Sequence, residues 1–183
     1  MKYFLDTEFI EDGVAIDLIS IGIVSDDQRT LYLQNEDCDF SKANDFVGRN
    51  VCPQLAEFDM GKRERTCSSL NKASKPTLDG ACSAICYWRS RQAIRDSIKE
   101  FIAGDKPEFW AYFASYDWVA FCQLFGIMMD LPADYPHYCN DIVQWARTLG
   151  YPKLPPKPIN SHNALADAMW NMEAWNFLFK YKP

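Results

Sequence analysis

The sequence has only two histidines, His137 and His162, and no Cys-x-x-Cys pair. Its seven cysteines are an odd number, and the nearest approach to a metal-binding pair is Cys82-x3-Cys86. These absences argue against a zinc site and fit free thiols in a reducing compartment. No apolar run is long enough to span a bilayer. The first residues carry no basic segment followed by an apolar core and a small-residue cleavage site, so no secretory signal is read and a cytoplasmic protein is expected. Internal repeats and low-complexity tracts are also lacking.

What is present is apolar and aromatic. Of 183 residues, 48% are hydrophobic and 15% aromatic, enough for one globular domain with a proper core. The net charge of −6 is unevenly spread. Residues 1–60 hold 4 basic and 13 acidic residues, whereas residues 61–99 hold 9 basic and 3 acidic. An acidic chain is a poor nucleic-acid binder on average. The basic stretch fits either a phosphate-contacting surface or a solvated helix face and loop.

Periodicity predicts strands over 2–9, 15–25 and 29–35, joined by the turn residues "EDG" and "SDDQ" into an antiparallel meander. Residues 36–82 show no steady period and read as an irregular insertion or active-site flank within a single domain spanning 1–183. A helix is expected over 84–103, with Ile94, Ile98, Phe101 and Ile102 on one face and Gly104 as its stop. Next come a strand over 107–114, a helix from Ser115 as N-cap to Gly126, a short strand at 137–139, a helix over 140–150 and a final helix over 161–181. The order predicts an α/β fold, a mixed β-sheet flanked by α-helices.

The first strand, "KYFLDTEF", poses an electrostatic problem. Side chains alternate along a strand, so Asp6 and Glu8 share a face, roughly 7 Å apart at the backbone, and Thr7 points the other way. Two ionised carboxylates in apolar surroundings repel, and desolvation costs each several kcal/mol. The segment offers no obvious basic partner. Hard divalent cations such as Mg²⁺ or Mn²⁺ take oxygen ligands and suit such a pair. An edge strand with two solvated acids fits this stretch equally well. Two further acids bear on the choice. Asp117 follows an apolar strand in the first turn of a helix, and Asp167 lies on the last helix beside Ala164 and Ala168, small residues that permit close approach to a sheet. His162 precedes Asp167 by five residues, which on a helix leaves the two about 140° apart around the axis. At or just before the helix start, its imidazole would sit at the rim, with a proton affinity suited to a general base.

Asp-x-Glu on the first strand, an Asp after a later strand and His-x4-Asp on the last helix together resemble the DEDD exonucleases of the ribonuclease-H-like fold. The sequence is most similar to the bacterial 3′–5′ exoribonuclease family of that group. The matching segments lie at 3–24, 107–126, "LPPKP" at 154–158 and "HNALADA" at 162–168. The resemblance implies that Asp6, Glu8, Asp117 and Asp167 bind two divalent ions, Mg²⁺ or Mn²⁺, and that His162 is the general base. The subgroup that uses tyrosine has it four positions before the last Asp. That position here is Asn163, which places the chain with the histidine subgroup. One departure is Phe113, where many such enzymes have Asn. The implied reaction is hydrolysis of RNA from the 3′ end to nucleoside 5′-monophosphates, by a two-metal mechanism. The alternatives are a 3′–5′ exodeoxyribonuclease on single-stranded DNA and a non-catalytic nucleic-acid-binding module. Phe9 and Ile10 are expected either to hold the terminal base or to pack in the core. A homodimer is implied by the resemblance alone.

Overall fold

The structure, a computed structural model, describes residues 1–65 and 86–181. The meander forms as expected. Strand β1 (Lys2–Glu11) and strand β2 (Ile16–Ser25) pair antiparallel, and β3 (Thr30–Asn35) pairs antiparallel with β2. The first turn is closed by Asp12, whose Oδ1 accepts from the N–H groups of Val14 (3.0 Å) and Ala15 (2.8 Å), with Gly13 at φ +82°. This is the Asx-turn chemistry that short acidic side chains supply.

The insertion read at 36–82 is described as far as residue 65, and the rest lies outside the described residues. Its described part is irregular but packed. Short helical turns run from Phe40 to Gln54, and β4 (Phe58–Asp59) pairs with β5 (Glu64–Arg65) as a separate ribbon. Phe40, Val47, Val51 and Leu55 bury against Ile10, Ile19 and Trp88 to form a second core beside the main one.

The helix expected over 84–103 is shorter. Residues 84 and 85 lie outside the described residues, Trp88–Arg89 form strand β6 parallel to β3, and α1 runs Arg91–Ile102. Ser90 fixes its start by accepting from the Ala93 N–H at 3.3 Å. Two strand residues give too short a pattern for periodicity to reveal. Strand β7 (Glu108–Ala111) ends three residues earlier than expected, because Phe113 turns the chain at φ +58°. Ala114, not Ser115, is the cap of α2 (Ser115–Gln123), and its N–H is taken by Asp141 Oδ2 at 2.9 Å. Strand β8 falls at Asn140–Asp141 rather than 137–139. Asp141 then caps α3 (Ile142–Thr148), and Asn163 caps α4 (Ala164–Lys180) by accepting from the Ala166 N–H at 3.1 Å.

The six strands form one mixed sheet in the order β6-β3-β2-β1-β7-β8, with β1 between antiparallel β2 and parallel β7. One face carries Tyr3, Leu5, Ile21 and Ile23 against α1 and α2. The other face is covered by α4, held to β1 by the buried Asn171, which donates to the Leu5 carbonyl at 2.9 Å. The architecture is α/β, a mixed sheet flanked by helices. No described helix is long and apolar enough to cross a membrane.

Gly22 sets the distance between α4 and the sheet. It is the cross-strand partner of Asp6. A Cβ added there would lie 2.3 Å from the Ala164 carbonyl oxygen and 2.5 Å from the Leu165 nitrogen. Both are backbone atoms, so no side chain can rotate away. The start of α4 therefore rests directly on the strand opposite Asp6, which brings Asp167 to the acids of β1. Gly22→Ala is expected to cost about 1–3 kcal/mol in urea unfolding, as overpacking does. Gly48→Ala, whose nearest neighbour would be an Arg63 side-chain nitrogen at 3.9 Å, should show no such loss. Equal stability of Gly22→Ala and wild type would show that α4 is not seated this closely.

Candidate active site

Two opposite faces of the sheet converge on one cavity. Asp6 and Glu8 point to the α4 face, and Asp167, in the first turn of α4, comes down onto them. One carboxylate oxygen from each of Asp6, Glu8 and Asp167 can be chosen so that all three lie within 4.8 Å of one another. Asp117 arrives from α2, on the other face. There it meets Thr7, the residue that alternation turns away from the acids. The Thr7 N–H and its hydroxyl both donate to Asp117 Oδ1 at 2.7 Å. Pairing of β1 with β7 ends at Phe4 and Trp110, so the Thr7 N–H has no strand partner on that side, and Asp117 takes it. Thr7 is thus a positioning residue, which the sequence pattern did not reveal.

His162 lies outside the helix. It sits at φ +71°, two residues before Ala164, and its backbone N–H donates to Asp167 Oδ2 at 2.7 Å. The left-handed turn overcomes the angular separation a helix would impose, and both residues line the cavity. The imidazole is met edge-on by Phe46, with ring centroids 5.1 Å apart at 88°. Phe46 belongs to the irregular segment, so that segment forms one wall of the site.

The two aromatic-site expectations part company. Phe9 lines the cavity and stacks on Tyr116 at 5.7 Å and 10°. Ile10 shares the face of Asp6 and Glu8, but the Phe40–Leu55 segment covers it, leaving it 2% exposed in the second core. It packs; it does not line the cavity. Phe46, Phe113 and Tyr116 stand exposed around the opening, which has a volume of about 520 Å³. That is the size of a small-molecule site. Lys157, from "LPPKP", also reaches the cavity. The basic residues Lys72 and Lys75 lie outside the described residues.

The electrostatics state what the site needs. Desolvation first, then repulsion from Asp117, Glu8 and Asp167, raises the Asp6 carboxyl well above its usual range. Desolvation, then Asp167 and Asp117, pushes Glu8 up to about 8. Desolvation raises Asp117 to about 6 despite the two Thr7 hydrogen bonds. Asp167 Oδ1 is buried and accepts no hydrogen bond. A desolvated cluster of oxygen donors, one of them without a hydrogen bond, fits a hard divalent cation.

The sign of the pH dependence follows. Unfolded carboxyls ionise near pH ~4, so between there and about 8 the folded protein retains protons that the unfolded chain has lost. Without divalent ions, stability therefore falls as pH rises through this window. Mn²⁺ binds the ionised form and should raise the melting temperature more at about pH 8 than at about pH 5. A melting temperature indifferent to Mn²⁺ at the higher pH would contradict this account of the cluster.

Comparison with known proteins identifies the family. Residues 1–179 match the model of the 3′-5′ exoribonuclease Rv2179c-like domain. The chain is 37% identical over 171 residues to the 3′-5′ exoribonuclease Rv2179c of Mycobacterium tuberculosis strain H37Rv, covering 92% of this chain and 87% of the relative. The same figures hold for 3′-5′ exoribonuclease MT2234.1 of strain CDC 1551. Among solved structures, exonuclease I superposes with a TM-score of 0.58 at 12% identity, covering 98% of this chain and 40% of that one. At that identity the likeness concerns the fold alone, a mixed sheet flanked by helices. By the family-model match over residues 1–179 and the 37% identity to Rv2179c, the chain belongs to the Rv2179c-like 3′-5′ exoribonuclease domain family.

Proposed function

We propose that this chain is a divalent-metal-dependent 3′–5′ exoribonuclease, acting as a single domain and releasing nucleoside 5′-monophosphates. The observation that carries this reading is the convergence of Asp6, Glu8 and Asp167 within 4.8 Å, with Asp167 Oδ1 lacking a hydrogen bond. Asp6, Glu8, Asp117 and Asp167 would hold two Mg²⁺ or Mn²⁺ ions. When bound, two such ions clamp a phosphodiester, activate water and stabilise the leaving oxygen.

The chain's own groups do the rest. Thr7 fixes Asp117 at the edge of the cluster. His162, at the rim, takes the proton from the attacking water. Phe9, backed by Tyr116, offers a flat face on which the 3′-terminal base stacks. Membership of the family and the names of its relatives support RNA as substrate. A non-catalytic binding module has no use for four converging acids that disfavour nucleic acid until cations offset them. The reducing cytoplasm suits the unbridged Cys38, Cys52, Cys122 and Cys139. From the family resemblance we also propose a homodimer.

With Mg²⁺ or Mn²⁺ and 5′-labelled single-stranded RNA, the expected result is a ladder shortening from the 3′ end, with 5′-monophosphates released. Asp6→Ala should abolish it, and His162→Ala should lower the rate by about 10²–10⁴-fold. Thr7→Val, which removes one of two donors to Asp117, should lower it about tenfold. No shortening of RNA or DNA overturns the reading. Shortening of single-stranded DNA but not RNA moves the assignment to an exodeoxyribonuclease, and full activity in Asp6→Ala shows that a contaminant is at work.

A further inference from the structure

We propose that Lys157 is a further catalytic residue, whose ammonium contacts the phosphate of the 3′-terminal nucleotide. The inference rests on the exonuclease reading above. Lys157 is the one Lys or Arg among the described residues lining the carboxylate cavity. It comes from "LPPKP", a segment with no other part in the site.

The ammonium is held in place without being used up. Nζ lies 4.6 Å from the centroid of the Tyr112 ring and 4.7 Å from that of Trp170. Those distances are within cation–π range for both rings. The loop that carries it is stiffened by Pro155, Pro156 and Pro158 and tied to α4 by the Trp170 indole N–H, which donates to the Pro155 carbonyl at 3.2 Å. Nζ lies 3.8 Å from Asp167 Oδ1. A lysine serving mainly as a counter-ion to that buried carboxylate would form a charge-assisted bond of about 2.7–2.9 Å. The aromatic cage holds it about an ångström further out. Lys157 donates no hydrogen bond to any described residue, so its three N–H groups remain available to a ligand.

Charge identifies that ligand. An ammonium this close to Asp167 opposes any divalent cation entering the cluster, since both are positive. An anion between them reverses the sign and is attracted by both. The substrate class proposed above carries such an anion, the phosphodiester. In the free protein Lys157 therefore lowers metal affinity, and with substrate bound it stabilises charge on the non-bridging phosphate oxygens.

This gives a signature that a structural residue lacks. Lys157→Met keeps an alkyl stem against Tyr112 and Trp170 and removes the charge, and Lys157→Arg restores charge with different geometry. Mn²⁺ binding is measured by calorimetry without nucleic acid, melting by thermal denaturation, and kcat on single-stranded RNA at saturating Mn²⁺. The expected result for Lys157→Met is a kcat lower by about 10²-fold, the loss typical of one oxyanion donor. Mn²⁺ should bind more tightly than in wild type, and the melting temperature should fall by no more than the few degrees that loss of two cation–π contacts allows. Lys157→Arg should recover part of the rate. A kcat equal to wild type overturns the proposal, as does a lowered kcat accompanied by weakened Mn²⁺ binding or by a fall in melting temperature of more than about 10 °C. A wild type that shortens no substrate overturns the exonuclease reading itself and this inference with it, whereas an active wild type beside an equally active Lys157→Met overturns only the role of Lys157.

Discussion

The rest of this structure is arranged around the mutual repulsion of desolvated carboxylates. Asp6, Glu8, Asp117 and Asp167 are drawn out of water into one cavity, and for the first three the cost appears as a raised proton affinity. A fold seeking only stability would place apolar groups there. The cluster is kept together by the scaffold: a glycine under α4, a buried Asn171 to β1, and Thr7 holding Asp117. Local features that oppose stability mark sites selected for chemistry.

The scaffold works by approaching the central strand from both sides. β1 lies between an antiparallel and a parallel neighbour, which pair its edges, and helices cover its faces, α1 and α2 on one side and α4 on the other. Alternation then assigns Asp6 and Glu8 to α4 and Thr7 to α2. The early end of β7 leaves an opening through which Asp117 reaches the Thr7 N–H. The irregular segment closes a further side and sets Phe46 against His162. Rigid elements carry the acids, and left-handed turns at Phe113 and His162 shape the rim.

Much of this is legible in the sequence. The meander, the stripe of Ile94, Ile98 and Ile102, and the small residues beside Asp167 follow from periodicity and size. Convergence of the acids needs the spacing of three separate motifs as well, since no single stretch decides between a solvated edge and a metal site. The failures have physical causes. Strands of two residues, β6 and β8, carry no period. Ser115 and Asp141 both have N-cap chemistry, and only tertiary contact decides that Asp141 accepts from Ala114. Alternation correctly turns Thr7 away from the acids but cannot say that a fourth acid waits on that face. Nor can it say that a packed insertion covers Ile10, two residues beyond Glu8. Lys157 is hidden for a related reason: its aromatic cage is assembled from Tyr112 and Trp170, which are far apart in the chain.

The central claim is that the repelling acids form a site for divalent cations, and its most direct test locates the cations. Crystals grown or soaked with Mn²⁺ and a nucleoside 5′-monophosphate would be measured at the manganese absorption edge. The account predicts anomalous peaks within about 2.0–2.6 Å of carboxylate oxygens of Asp6, Glu8 and Asp167. Manganese bound only elsewhere, with these acids close together and metal-free at saturating Mn²⁺, would contradict it.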